Sequence, residues 1–117
     1  IMKKSNADLF LSIHMNSFPS KTVSGLRIFY SKEHEAVKML AEDMQINISK
    51  VTGAKSYAVK TADEKLFLMK NPPMPAILAE CGFLSNKSDL QKLKNEDYQS
   101  QMAFAVASGI MDFYSQE

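Results

Sequence analysis

Two short apolar runs, each closing on a polar residue, constrain the fold of this chain more than any other feature. The first is Ala7-Asp8-Leu9-Phe10-Leu11-Ser12-Ile13-His14-Met15-Asn16 and the second is Pro75-Ala76-Ile77-Leu78-Ala79-Glu80-Cys81-Gly82-Phe83-Leu84-Ser85-Asn86. Runs this short and this apolar read as core strands covered on both faces, the kind found in parallel sheets. Open α/β sheets bind ligands where such strands end, so the residues delivered there carry the functional weight. Those residues are His14 and Glu80. Alternation puts Ser12, His14 and Asn16 on one face of the first strand, with Leu11, Ile13 and Met15 on the other.

The pattern between and after these runs is that of an α/β domain. Ser17–Ser24 holds Pro19 and small polar residues and reads as a loop, and Gly25–Tyr30 reads as a strand. Ser31 is a natural N-cap, with Glu33 and Glu35 in the following turn where negative charge suits the helix dipole. From about Glu33 to Thr52, Val37, Leu40, Met44, Ile48 and Val51 fall at helical steps, and Gly53 stands where a helix terminator belongs. Ala54–Lys65 reads as loop and Leu66–Met69 as a short strand. Asn71–Pro75 is stiff and extended, because its three prolines cannot donate to a ladder. Ala76–Cys81 is the second buried strand. Asn86 caps a short helix with Leu90 and Leu93 inward. Asn95 caps the last helix, whose inner stripe is Tyr98, Met102, Ala105, Val106, Ile110 and Phe113.

Strands alternating with helices predict an α/β fold, a layered, open and largely parallel sheet flanked by helices. At 117 residues the chain is one domain, spanning 1–117, able to bury about 65% of its unfolded surface. Fourteen basic and 13 acidic residues leave a formal charge of +1, so no strong field draws nucleic acid or an anionic membrane. There is neither an apolar run long enough to span a bilayer nor a signal peptide. A single cysteine rules out an internal disulfide and a cysteine-rich zinc cluster. If the sheet has an exposed edge beside the His14 strand, that edge invites pairing with a second copy.

His14 has two readings: a zinc ligand held rigidly at a strand end, or a partly buried imidazole satisfied by backbone carbonyls. Glu80 stands among Ile77, Leu78, Ala79, Cys81 and Phe83. A carboxylate there is paired, protonated or turned into a polar cavity, since an isolated buried charge costs several kcal/mol or more. Desolvation raises a glutamate pKa toward the range useful for proton transfer. Cys81 suggests a Cys–His hydrolase, but alternation turns it away from Glu80 and toward the core. Asn16 serves either substrate positioning or turn chemistry. His34, between Glu33 and Glu35, reads as solvent-exposed, because adjacent helical residues do not converge on one ion.

The strings around His14 and Glu80, together with Ser24-Gly25-Leu26-Arg27-Ile28-Phe29-Tyr30, resemble the zinc-dependent N-acetylmuramoyl-L-alanine amidases of bacterial cell-wall turnover, and within them the sporulation and germination branch. The resemblance runs from about Asn6 to the last helix. The family's opening Gly-His-Gly-Gly strand and the acidic ligand after it have no counterpart, so the chain resembles the C-terminal part of an amidase catalytic domain, without its first strands and helices. What the resemblance implies is a peptidoglycan hydrolase that cleaves the amide between N-acetylmuramic acid and L-alanine with zinc-activated water. It implies His14 as a metal ligand, Glu80 as the catalytic acid/base, Zn2+ as cofactor, muropeptides as substrate and an extracytoplasmic parent protein. With one of the expected ligands present, this chain alone is expected to be weak or inactive. The alternative is a non-catalytic amidase-like domain that binds peptidoglycan fragments or a protein partner.

Overall fold

The computed structural model describes residues 2–62, 69 and 71–116. Its elements are α1 (Met2–Ser5), β1 (Phe10–Asn16), β2 (Arg27–Tyr30), α2 (Ala36–Thr52), β3 (Lys60–Thr61), β4 (Ala76–Phe83), α3 (Lys87–Lys94) and α4 (Glu96–Ser115). The four strands form one sheet in the order β1-β4-β2-β3. Pairs β1–β4 and β2–β3 are parallel, while β2–β4 is antiparallel. The sheet is therefore mixed α/β with two parallel pairings of three.

The strand β4 is central because its sequence is apolar on both faces; seven of its eight residues are buried, Glu80 alone being half-buried. One face, Ile77, Ala79 and Cys81, joins Leu26, Ile28 and Tyr30 of β2 and its approach. Against them pack Val37, Leu40, Ala41, Met44 and Ile48 of α2 and Met102, Ala105 and Val106 of α4. Ala76 and Leu78 look the other way, toward Phe10, Phe29, Ala62 and Met69. Glu80 shares that second face by alternation.

The helix signals place α2, α3 and α4 well. Gly53 ends α2 in the left-handed region at φ 73°, its N–H bonding the Ser49 carbonyl. Asn86 and Asn95 cap α3 and α4, their side chains accepting from the Asp89 and Tyr98 N–H groups. Three expectations change. Val51 is 40% exposed, because the buried stripe of α2 ends at Ile48. β1 is not covered on both faces: it lies at the end of the described sheet, and Ile13 and Met15 are 54% and 45% exposed. Ser31 does not cap α2, which starts at Ala36. It is fully buried, and its Oγ accepts the Ala76 N–H at 3.1 Å while its own N–H bonds the Ala76 carbonyl at 3.0 Å. The hydroxyl is used to join β2 to the start of β4, so the chain makes a turn before the helix begins. The strand expected at Leu66–Met69 lies outside the described residues except for Met69, as does the end of the 54–65 loop. Within that loop, Lys60–Thr61 pairs with β2 instead.

Candidate active site

Register brings the two residues of the opening observation together. His14 on β1 is the direct partner of Glu80 on β4, and Glu80 is the direct partner of Arg27 on β2. Partners across neighbouring strands stand about 4.8 Å apart on the same face. A row of imidazole, carboxylate and guanidinium thus crosses three strands on the face that lacks α2 and α4. The next row, Ser12, Leu78, Phe29 and Lys60, is equally continuous across all four strands.

Local chemistry fixes each member. The His14 Nε2 lies 2.7 Å from the Ser12 Oγ, two residues back on the same face. Burial raises the Glu80 carboxyl above its ordinary value of 4.5, against the opposing pull of Arg27 and then of His14. Arg27 is half-buried, with its guanidinium carbon 4.7 Å from the centre of the Tyr57 ring and 5.7 Å from that of Phe83. Its Nε is buried and has no hydrogen-bond partner among the described residues. Phe83 reaches this face through a bulge: two steps along β1, His14 to Asn16, match three along β4, Glu80 to Phe83. The extra residue resets the alternation beyond Glu80.

The remaining candidates fall elsewhere. Cys81 is buried against the helices, where desolvation pushes its thiol up to about 11. The Cys–His arrangement has no geometric basis. Asn16 does turn chemistry: its Oδ1 accepts the Ser17 N–H at 2.8 Å, and its carbonyl accepts the Leu84 N–H. His34 is half-buried rather than exposed, with Nδ1 3.1 Å from the Ser31 hydroxyl.

Sequence reasoning passed over two residues. Arg27 was visible as the one charged residue in an otherwise apolar strand. Asp89, in the first turn of α3, accepts the Gly25 N–H at 2.9 Å and the Phe83 N–H at 3.0 Å through one oxygen, Oδ2. It clamps the entry of β2 to the end of β4, and no motif announces it.

Residues 1–112 match the family model described as N-acetylmuramoyl-L-alanine amidase. The chain belongs to that family. LytC, an N-acetylmuramoyl-L-alanine amidase of Bacillus subtilis, is 36% identical over 110 residues, which are 92% of this chain and 22% of LytC. The germination-specific N-acetylmuramoyl-L-alanine amidase of the same species is 29% identical over 121 residues, covering 100% of this chain and 49% of that protein. Among solved structures, the CwlD amidase of Clostridioides difficile, in complex with the GerS lipoprotein, superposes with a TM-score of 0.91 at 34% identity. That match covers 99% of this chain and 59% of CwlD. The chain thus spans about half the length, or less, of the curated relatives named here.

A family of zinc enzymes raises the question of whether these residues fit a metal. A catalytic zinc takes three protein ligands and keeps one position open. Among the described residues no group of three His, Cys, Asp or Glu side chains is placed to hold an ion. His14 is one imidazole on β1, and the described residues do not complete a ligand set around it. No helix among the described residues is long and apolar enough to cross a membrane.

Proposed function

We propose that this chain, residues 1–117, forms the C-terminal part of an amidase catalytic domain. The reaction is hydrolysis of the amide joining N-acetylmuramic acid to the L-alanine of the peptidoglycan stem. The observation that carries this reading is the in-register placement of His14 beside Glu80 on the open face of the sheet. In this reading His14 contributes one ligand to a zinc ion, whose chemistry when bound is to polarise the carbonyl and lower the pKa of water. Glu80 is the acid/base. Its half-buried carboxyl, raised above the usual value by desolvation, is a stronger base than an exposed glutamate, which suits the carboxylate to take a proton from the attacking water and return it to the alanine nitrogen as the C–N bond breaks. The parent protein works outside the cytoplasm, where that substrate lies.

The test is release of muropeptide N-terminal alanine by the complete enzyme that carries this chain. Glu80→Gln is expected to lower turnover by about 10²-fold or more with zinc content unchanged, and His14→Ala to lower zinc content as well. Full turnover in Glu80→Gln would refute the assignment. A specific observation favours a second reading: the ligand set is incomplete among the described residues. On that reading the chain alone binds muropeptides or a protein partner without turnover.

The place of β1 at the end of the described sheet, with Ile13 and Met15 exposed beside it, supports self-association through that strand. Sedimentation equilibrium of the 117-residue chain is expected to show reversible dimers. A strict monomer at high concentration removes the idea.

A further inference from the structure

Next to Arg27, the cross-strand partner of Glu80, lies a small cavity that the acid/base and metal roles do not use. It has a volume of about 130 Å3 and is lined by Arg27, Ile28, Phe29, Tyr57, Ala58 and Lys60. That is about four water volumes, room for a carboxylate and its neighbouring atoms rather than a sugar. Among the described lining residues, two are cations and none is acidic.

The cavity is built rather than incidental. Tyr57 is held on three sides: its N–H bonds the Leu26 carbonyl at 3.1 Å, its carbonyl accepts from Gln45 Nε2 at 2.7 Å, and its hydroxyl donates to the Ser24 carbonyl at 3.0 Å. The fixed ring is a platform for the Arg27 guanidinium, and Phe83 flanks the same group. A planar guanidinium held against aromatic rings keeps its donor edge free for a planar anion. The Nε is buried and has no partner among the described residues. Burying such a donor is costly unless something accepts from it.

We propose that Arg27, with Lys60, forms a subsite for a carboxylate of the stem peptide, one strand away from Glu80. This rests on the amidase reading and deepens it. The scissile nitrogen belongs to L-alanine, and the next stem residue is a D-glutamate joined through its γ-carboxyl, which leaves its α-carboxylate free. That group lies about two residues, or 7 Å, from the scissile bond. Arg27 stands one strand spacing, about 4.8 Å, from Glu80 at the backbone, with a long side chain to cover the rest. The subsite therefore selects stems with the free acid over those carrying an amide at that carbon.

The test is a binding titration with two probes whose D-glutamate γ-carboxyl is capped as the methylamide: the L-Ala-D-Glu dipeptide with a free α-carboxylate, and the same dipeptide with its α-carboxyl converted to carboxamide. Wild-type protein is expected to bind the acid at least about ten-fold more tightly, the size of one charge-assisted hydrogen bond. Arg27→Gln is expected to reduce that preference to less than about two-fold, and Arg27→Lys to keep part of it. The wild-type comparison of acid with amide needs no variant, so a folding defect in Arg27→Gln does not shield the proposal. Equal binding of both probes, binding of neither, or an undiminished preference in a folded Arg27→Gln protein overturns it. The readout needs no turnover. Hydrolysis of muropeptides without any acid preference rejects the subsite and leaves the amidase reading standing; acid preference without hydrolysis does the reverse.

Discussion

Removing the Asp89 carboxylate is expected to loosen the candidate site from a position that touches neither His14 nor Glu80. Its Oδ2 accepts the N–H groups of Gly25 and Phe83, both buried residues. In Asp89→Ala both donors lose their partner at once. Each orphaned buried donor costs about 1–3 kcal/mol. Because Asp89 is itself only half-buried, water reaches part of the vacated space, and the lower half of the range applies. The expected loss is about 2–4 kcal/mol for the pair, a drop of roughly 1–2 M in the urea midpoint. Asp89→Asn separates shape from charge. One oxygen receives both bonds, so the single amide oxygen of asparagine can replace it, at about 1 kcal/mol for the weaker neutral acceptor. Asp112→Ala, at an exposed position near the end of α4, serves as the neutral control. Urea denaturation followed by far-UV circular dichroism gives all three values. An Asp89→Ala protein within 0.5 kcal/mol of wild type, or an asparagine variant as damaged as the alanine one, would refute the clamp.

Two further outcomes follow from burial on opposite faces of β4. The Glu80 carboxyl is raised in the fold, so the folded protein holds that proton to higher pH than the unfolded chain. Its contribution to stability is complete below pH 4.5 and is lost as pH rises through the folded value. Metal-free Glu80→Gln should then match wild type in acid and exceed it at neutral pH in chemical denaturation; a wild type that gains on the variant with rising pH contradicts this. With its thiol pushed up to about 11, Cys81 presents only about one thiolate in a thousand at pH 8. Iodoacetamide is expected to leave the native protein unlabelled and to modify it fully in urea, as read by mass; rapid native labelling would show the thiol accessible.

How much of this was legible depends on how local the cause is. Helix ends were readable because their causes sit within four residues: Gly53 at a left-handed stop, and Asn86 and Asn95 as side-chain caps. The strand β4 was readable because a central strand needs an unbroken apolar run. β1 misled for the same reason. Leu9, Phe10, Leu11 and Ile13 in near-unbroken succession predict cover on both faces, yet only neighbouring structure decides whether cover exists, and here Ile13 and Met15 are exposed. Ser31 misled because a serine before acidic residues suits a cap, while its hydroxyl had a distant partner, Ala76. Asp89 was invisible since its partners lie 64 and 6 residues away.

The same distinction explains why His14 and Glu80 could be chosen from sequence while Arg27 could not. Alternation predicts which face of its own strand a residue takes, but not which strand lies beside it. That Arg27 meets Glu80 depends on β2 inserting antiparallel between β4 and β3, a fact of topology rather than of local pattern. The bulge after Glu80 then has a chemical consequence. Continued period-2 alternation would send Phe83 to the helix side with Cys81; the extra residue brings its ring back beside the guanidinium. Asp89 holds the Phe83 N–H at that point, so the clamp that steadies the fold also steadies the aromatic wall of the Arg27 subsite. A stability defect in Asp89→Ala should accordingly come with weaker discrimination between the acid and amide dipeptides, even in the fraction that remains folded.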